Sequence, residues 1–167
     1  MTYPRYPIDI KVYTEQSQNA PCFICRIVTR GIIEPHPIIY EDDVAIAFFS
    51  KHQLLYGYTL VAPRQHREQV TGDFSLEEYL ALQRVVYRVA EALRQEVPTE
   101  RLYILSLGSQ QGNRHVHWHL VPLPPGVPYR EQQLEALRLE KGVLKIPDEE
   151  MAALAARIRQ RMEGICA

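Results

Sequence analysis

A chain of 167 residues with 46% apolar content suits one cored domain with an extension. A net charge of −1 gives no long-range pull toward nucleic acid or an anionic membrane. No apolar run approaches the ~18 residues of a membrane span, residues 1–7 lack the apolar stretch of a signal peptide, and three cysteines are an odd count for a disulfide framework, so a cytoplasmic protein is expected.

Residues 1–19 carry Pro4, Pro7 and many polar side chains, and read as an irregular arm with one short strand at Ile8–Tyr13. Pro21 suits the first position of a helix over about 21–30 that stops at Gly31. Cys22 and Cys25 then share one face. This spacing suits half of a zinc site, a redox pair or two buried thiols. Pro35-His36-Pro37 reads as a turn, and Ile38–Tyr40 with Val44–Phe49 as a hairpin closed by Glu41-Asp42-Asp43. Gly57–Val61 is the next strand. Ser75-Leu76-Glu77-Glu78 is a capping box for a helix over 76–96, whose stripe of Tyr79, Leu82, Val86, Val89, Ala90 and Leu93 is core, and Pro98 stops it. Leu102–Leu107 reads as a buried strand, and 108–113 as a polar turn whose N–H groups suit an anion.

The next stretch is the most informative. His115, His117 and His119 fall at i, i+2 and i+4, with Val116, Trp118 and Leu120 between and after them. A period of two puts the imidazoles on one face of a strand and the apolar residues on the other. At about 3.3 Å per residue the outer two histidines lie roughly 13 Å apart. Metal–nitrogen bonds of about 2.0–2.1 Å prevent all three from sharing one ion. Separate tasks fit better: a nucleophile, a proton donor and an outer residue with another role. Beyond it, Pro122–Pro128 is an extended exit, Tyr129–Glu140 reads as helical, and Pro147–Glu163 is an amphipathic helix with Met151, Leu154, Ala155, Ile158 and Met162 on one face. The expected divisions are an arm at 1–19, a domain at 20–125 and a helical extension at 126–167 packed on it. Strands mostly adjacent in sequence, with few helices, give an α+β class with an antiparallel sheet.

The run His115-Val116-His117-Trp118-His119-Leu120-Val121 resembles the signature of the histidine-triad (HIT) family of nucleotide hydrolases and transferases. Gly57–His66 resembles that family's strand and turn before its long helix, and with Cys22-Phe23-Ile24-Cys25 the resemblance covers roughly 20–125. It implies a HIT-like fold, a homodimer joined through the long helix and a neighbouring strand, and transfer at the α-phosphate of a nucleotide. His117 would be the nucleophile and His119 the proton donor. It also implies a structural zinc on Cys22, Cys25, His66 and His115, with no catalytic metal required. Gln111 matches a phosphate-binding position. Gly112 stands where the family has a hydroxyl, so Asn113 or Ser109 is the expected substitute. Ser50 stands where a ribose-binding Asp is usual, and Tyr58 where many members have histidine. These departures keep open the alternative of a nucleotide-binding regulator with weak or lost catalysis.

Overall fold

The computed structural model describes residues 3–31, 37–110 and 112–165; Pro35, His36, Gln111 and Cys166 lie outside them. In chain order the elements are β1 (Arg5–Tyr6), α1 (Ile10–Asn19), α2 (Phe23–Val28), β2 (Ile38–Glu41), β3 (Ala45–Phe49), β4 (Thr59–Pro63), α3 (Leu76–Glu96), β5 (Arg101–Leu105), β6 (Trp118–Leu123), β7 (Val143–Leu144) and α4 (Asp148–Glu163). Five strands form one antiparallel sheet in the order β2-β3-β4-β6-β5, and β1 pairs with β7 in a small second ribbon. The α+β class with an antiparallel sheet and one long helix is what the sequence predicts.

The central strands are buried on both faces, so their side chains divide between two cores. Ala45, Ala47, Phe49, Val61, Trp118 and Leu120 face α3 and α4. Ile46, Phe48, Leu60, Ala62 and Val121 face the other way, against Ile24 and Ile27 of α2. The long helix α3 starts where its capping box requires: Glu78 N–H donates to Ser75 Oγ at 3.2 Å, and Ser75 N–H to Glu78 Oε2 at 2.8 Å. Helix α4 buries Met151, Leu154, Ala155, Ile158 and Met162 in the same core as α3. No helix among the described residues is long and apolar enough to cross a membrane.

Several expectations change. The arm carries a helix, not a strand, at 10–19: Asp9 caps it by accepting from Val12 N–H at 3.0 Å. Helix α2 is shorter than 21–30. Cys22 is its cap, and Arg30, not Gly31, takes the left-handed position with φ 58°. Strand β4 runs 59–63 rather than 57–61, because Gly57 is in a left-handed turn with φ 83°. Strand β5 is a half-exposed sheet edge rather than a buried strand, with Ile104 49% exposed. Pro122 and Leu123 extend β6 instead of leaving it. Residues 129–141 form three short 3-10 turns rather than a helix, since Leu134 points to solvent and no apolar stripe is buried there.

Candidate active site and metal centre

Along the segment 115–120 that leads into β6 the three imidazoles face the cavity beside α2, while Val116, Trp118 and Leu120 lie in the α3 core. The regular ladder begins only at Trp118; upstream, Val116 N–H donates to the Arg67 carbonyl at 2.8 Å. His115 and His117 are buried, and His119 is half-buried.

Each ring's partners fix its tautomer, because a carbonyl only accepts. His117 Nδ1 is 2.7 Å from the His115 carbonyl, so Nδ1 carries the hydrogen and Nε2 keeps a free lone pair. His115 Nε2 is 2.9 Å from the Pro63 carbonyl, so its bare nitrogen is Nδ1. That Nδ1 lies 3.5 Å from both Cys22 Sγ and Cys25 Sγ. His66 Nε2 meets Glu68 Oε1 at 3.1 Å, which turns Nδ1 toward Cys25 Sγ at 3.2 Å. Two thiols and two bare imidazole nitrogens thus converge, all within 4.8 Å of one another. This donor set, with each histidine's other nitrogen already engaged, fits a tetrahedral divalent metal. Burial, with Cys22 beside it, pushes the Cys25 thiol up to about 11. Burial lowers all three imidazoles of the row. His115 falls to about 4, helped by His66 and His117 and opposed by its bond to the Pro63 carbonyl. His119 also falls to about 4, helped by His117, and His117 is lowered with its bond to the His115 carbonyl opposing.

His115 therefore belongs both to the Cys/His cluster and to the imidazole row. Its ring faces the thiols and its carbonyl orients His117. The Ser106 hydroxyl donates to the His117 carbonyl at 2.8 Å and braces the same segment.

Beside the imidazoles opens a cavity of about 880 Å³, within the range of small-molecule sites. Phe23, Phe48, Leu54 and Leu60 give it an apolar wall, and Arg26, Lys51 and Arg114 bring positive charge to its lining. Phe23 stands edge-on to His117 with ring centroids 6.0 Å apart. Ser50 and Asn113 line it; Ser109 does not, being bridged to Gly112 in the loop. Arg64 and Arg67 are engaged elsewhere, with Glu41 and Glu78. Sequence reasoning missed the contribution of α1, which brings Tyr13, Gln16, Ser17 and Gln18 to the rim. It also missed why residue 112 is glycine. A Cβ there would lie 2.6 Å from the Ser17 carbonyl oxygen, so the absent side chain is the seat of α1.

The family model of the HIT domain matches residues 33–125. Protein hit of Bacillus subtilis is 31% identical over 106 residues, 60% of this chain and 70% of that protein. An uncharacterized HIT-like protein of Saccharolobus solfataricus is 29% identical over 125 residues, 68% of this chain and 88% of the relative. Among solved structures, a hypothetical histidine triad nucleotide-binding protein from Sulfolobus tokodaii superposes with a TM-score of 0.68 at 24% identity, covering 86% of this chain and 93% of that one. A Zn-bound histidine triad family protein from Mycobacterium smegmatis gives 0.65 at 22% identity, covering 86% and 94%.

Proposed function

This chain belongs to the HIT domain family, and on that premise we propose that it is an enzyme transferring or hydrolysing nucleotides at the α-phosphate through a covalent intermediate on His117. The observation that carries the reading is the 2.7 Å contact between His117 Nδ1 and the His115 carbonyl oxygen. The His117 Nδ1–H is committed to the His115 carbonyl, which leaves the Nε2 lone pair for attack. That nitrogen bonds to phosphorus as the bond to the leaving group breaks; water or another acceptor then breaks the N–P bond and releases the nucleotide. The base packs against Phe23 and Phe48, and the phosphates meet Arg26, Lys51 and Arg114 at the cavity lining. Ser50 and Asn113 are polar groups of the cavity lining that the sugar and phosphates meet. His119, beside His117 with ring centroids 4.7 Å apart, is the group that meets the leaving atom.

Cys22, Cys25, His66 and His115 hold a structural zinc, whose contribution is to tie α2 and the turn after β4 to the start of the histidine row. The catalytic steps need no metal. The protein acts as a homodimer through the outer face of α3 and the edge of β5, where Leu80, Tyr87 and Ile104 are exposed apolar residues. It works in the cytoplasm on a small-molecule nucleotide, with neither nucleic acid nor membrane as partner.

Ser50, a hydroxyl where a carboxylate is usual, favours the second reading of a nucleotide-binding regulator without turnover. One assay separates the two: release of nucleoside monophosphate from diadenosine polyphosphates, an adenosine phosphoramidate and adenylyl sulfate, with and without phosphate, by wild type and His117→Ala. Turnover in wild type alone supports the enzyme, and nucleotide binding with no release from any substrate supports the regulator.

A further inference from the structure

His119 makes two contacts, and together they define its chemistry. Its Nε2 lies 3.2 Å from the Leu107 carbonyl oxygen, and its Nδ1 lies 2.6 Å from the Tyr58 hydroxyl. The carbonyl must receive a hydrogen, so Nε2 carries one. Nδ1 is then bare unless the ring is cationic. Burial, with His117 beside it, holds the ring well below its usual basicity, so at neutral pH the ring is neutral. The Tyr58 hydroxyl therefore donates to Nδ1.

Tyr58 is firmly placed to do so. It is 7% exposed. Its carbonyl accepts from Ser50 N–H at 2.9 Å and from Gln53 Nε2 at 2.7 Å. Burial, with Tyr13 of α1 nearby, raises its phenol, so it holds its proton rather than passing it on.

We propose that Tyr58 is a positioning residue that fixes His119 as a neutral imidazole with its hydrogen on Nε2, and that the site thereby selects nucleotides whose leaving group departs as a phosphate anion over those that release an amine. The proposal rests on the nucleotidyl-transfer reading and names its substrate class. In a P–O–P anhydride, the His117 Nε2–P bond forms while the bridging P–O bond breaks. The electron pair goes to the departing phosphate, which spreads the charge over its oxygens. His119 Nε2–H turns from the exposed Leu107 carbonyl to that bridging oxygen and donates a hydrogen bond. No proton needs to move, and a neutral imidazole serves this role. In a P–N amidate, the nitrogen must gain a proton to leave. A neutral imidazole gives up its Nε2 hydrogen only if Nδ1 gains one, and the Tyr58 proton stays on oxygen.

Two measurements on the zinc-loaded protein test this. The first is ¹⁵N NMR of histidine-labelled wild type and Tyr58→Phe near pH 7, with His119→Gln used for assignment. The expected wild-type ring is the Nε2–H tautomer with Nδ1 accepting a hydrogen bond; in Tyr58→Phe the Nδ1 signal moves to that of a free lone pair or exchanges between tautomers. A wild-type Nδ1–H tautomer, or an imidazolium, overturns the proposal. The second is kcat/KM for diadenosine tetraphosphate and adenosine phosphoramidate. Wild type should prefer the anhydride by about 10²-fold or more, the scale of one lost proton transfer. Tyr58→His, whose ring nitrogen can accept from a protonated His119, should narrow that ratio about tenfold through kcat on the amidate with little change in KM. Equal turnover of both substrates by wild type overturns the substrate preference. If neither is turned over, the transfer reading and the substrate preference fall together, while the NMR result still decides the role of Tyr58.

Discussion

At the scale of single residues, the two centres are joined through His115, whose ring faces Cys22 and Cys25 and whose carbonyl receives His117 Nδ1–H. Glu68 stands behind the Cys22, Cys25, His66 and His115 cluster, holding His66 by its Nε2. Replacing that carboxylate, Glu68→Gln, should weaken zinc binding by about 10–100-fold, the usual cost of losing an outer partner of a metal histidine; competition with a chromophoric chelator reads this, and an unchanged affinity would remove Glu68 from the site. The two thiols must lose their protons to bind a cation. Zinc added to the metal-free protein at pH 7 should therefore release about two protons, read by calorimetry in two buffers of different ionisation enthalpy. The histidine row and the Cys pair are plain in the sequence because strand and helix periods place them locally. The Tyr58–His119 contact is not, since it joins residues 61 positions apart.

At the scale of elements, legibility followed local signals. Helix α3 has a capping box and a stripe that is buried as the pattern requires, and its ends match the 76–96 read from sequence. Helix α1 has an Asp9 cap but no buried residue, so its hydrophobic pattern carries little information. What holds it is a tertiary seat. Ser17 rests where residue 112 lacks a side chain, and Tyr13 packs edge-on against His52 with centroids 5.2 Å apart. Gly112→Thr should therefore displace α1 from the cavity rim at a cost of about 1–3 kcal/mol, the range for overpacking a closed contact. Hydrogen exchange of the 13–19 amides should accelerate; unchanged protection would mean that α1 is held by other contacts. Strand β5 reads as buried because its composition is apolar, and composition does not distinguish a central strand from an edge.

For the whole molecule, α3 and β5 each leave large apolar residues outside both cores. Leu80 and Tyr87 of α3 are 47% and 57% exposed, and Ile104 of β5 is 49% exposed. A homodimer through the outer face of α3 and the edge of β5 would cover them. The double variant Leu80→Glu and Tyr87→Glu should sediment as a folded monomer where wild type sediments as a dimer. A wild-type monomer at micromolar concentration would contradict the dimer. Helix α4 packs in the same core as α3 and is tied down at its ends: Arg161 meets Glu96 at 2.5 Å, and the Tyr56 hydroxyl donates to Glu150 at 2.5 Å. The sheet, α3 and α4 thus back the face that carries the imidazoles, and α1 lines the cavity in front of it.

In the proposed mechanism His117 carries the nucleotide during turnover. Alkaline quench and intact-mass analysis of the protein mixed with a diadenosine polyphosphate, followed by peptide mapping, would detect it there. The expected result is an adduct of one nucleoside monophosphate on His117, absent in His117→Ala, whose turnover falls by roughly 10³–10⁶-fold. Undiminished turnover by His117→Ala, or steady turnover with no adduct at any quench time, would contradict it and leave direct attack by water as the mechanism.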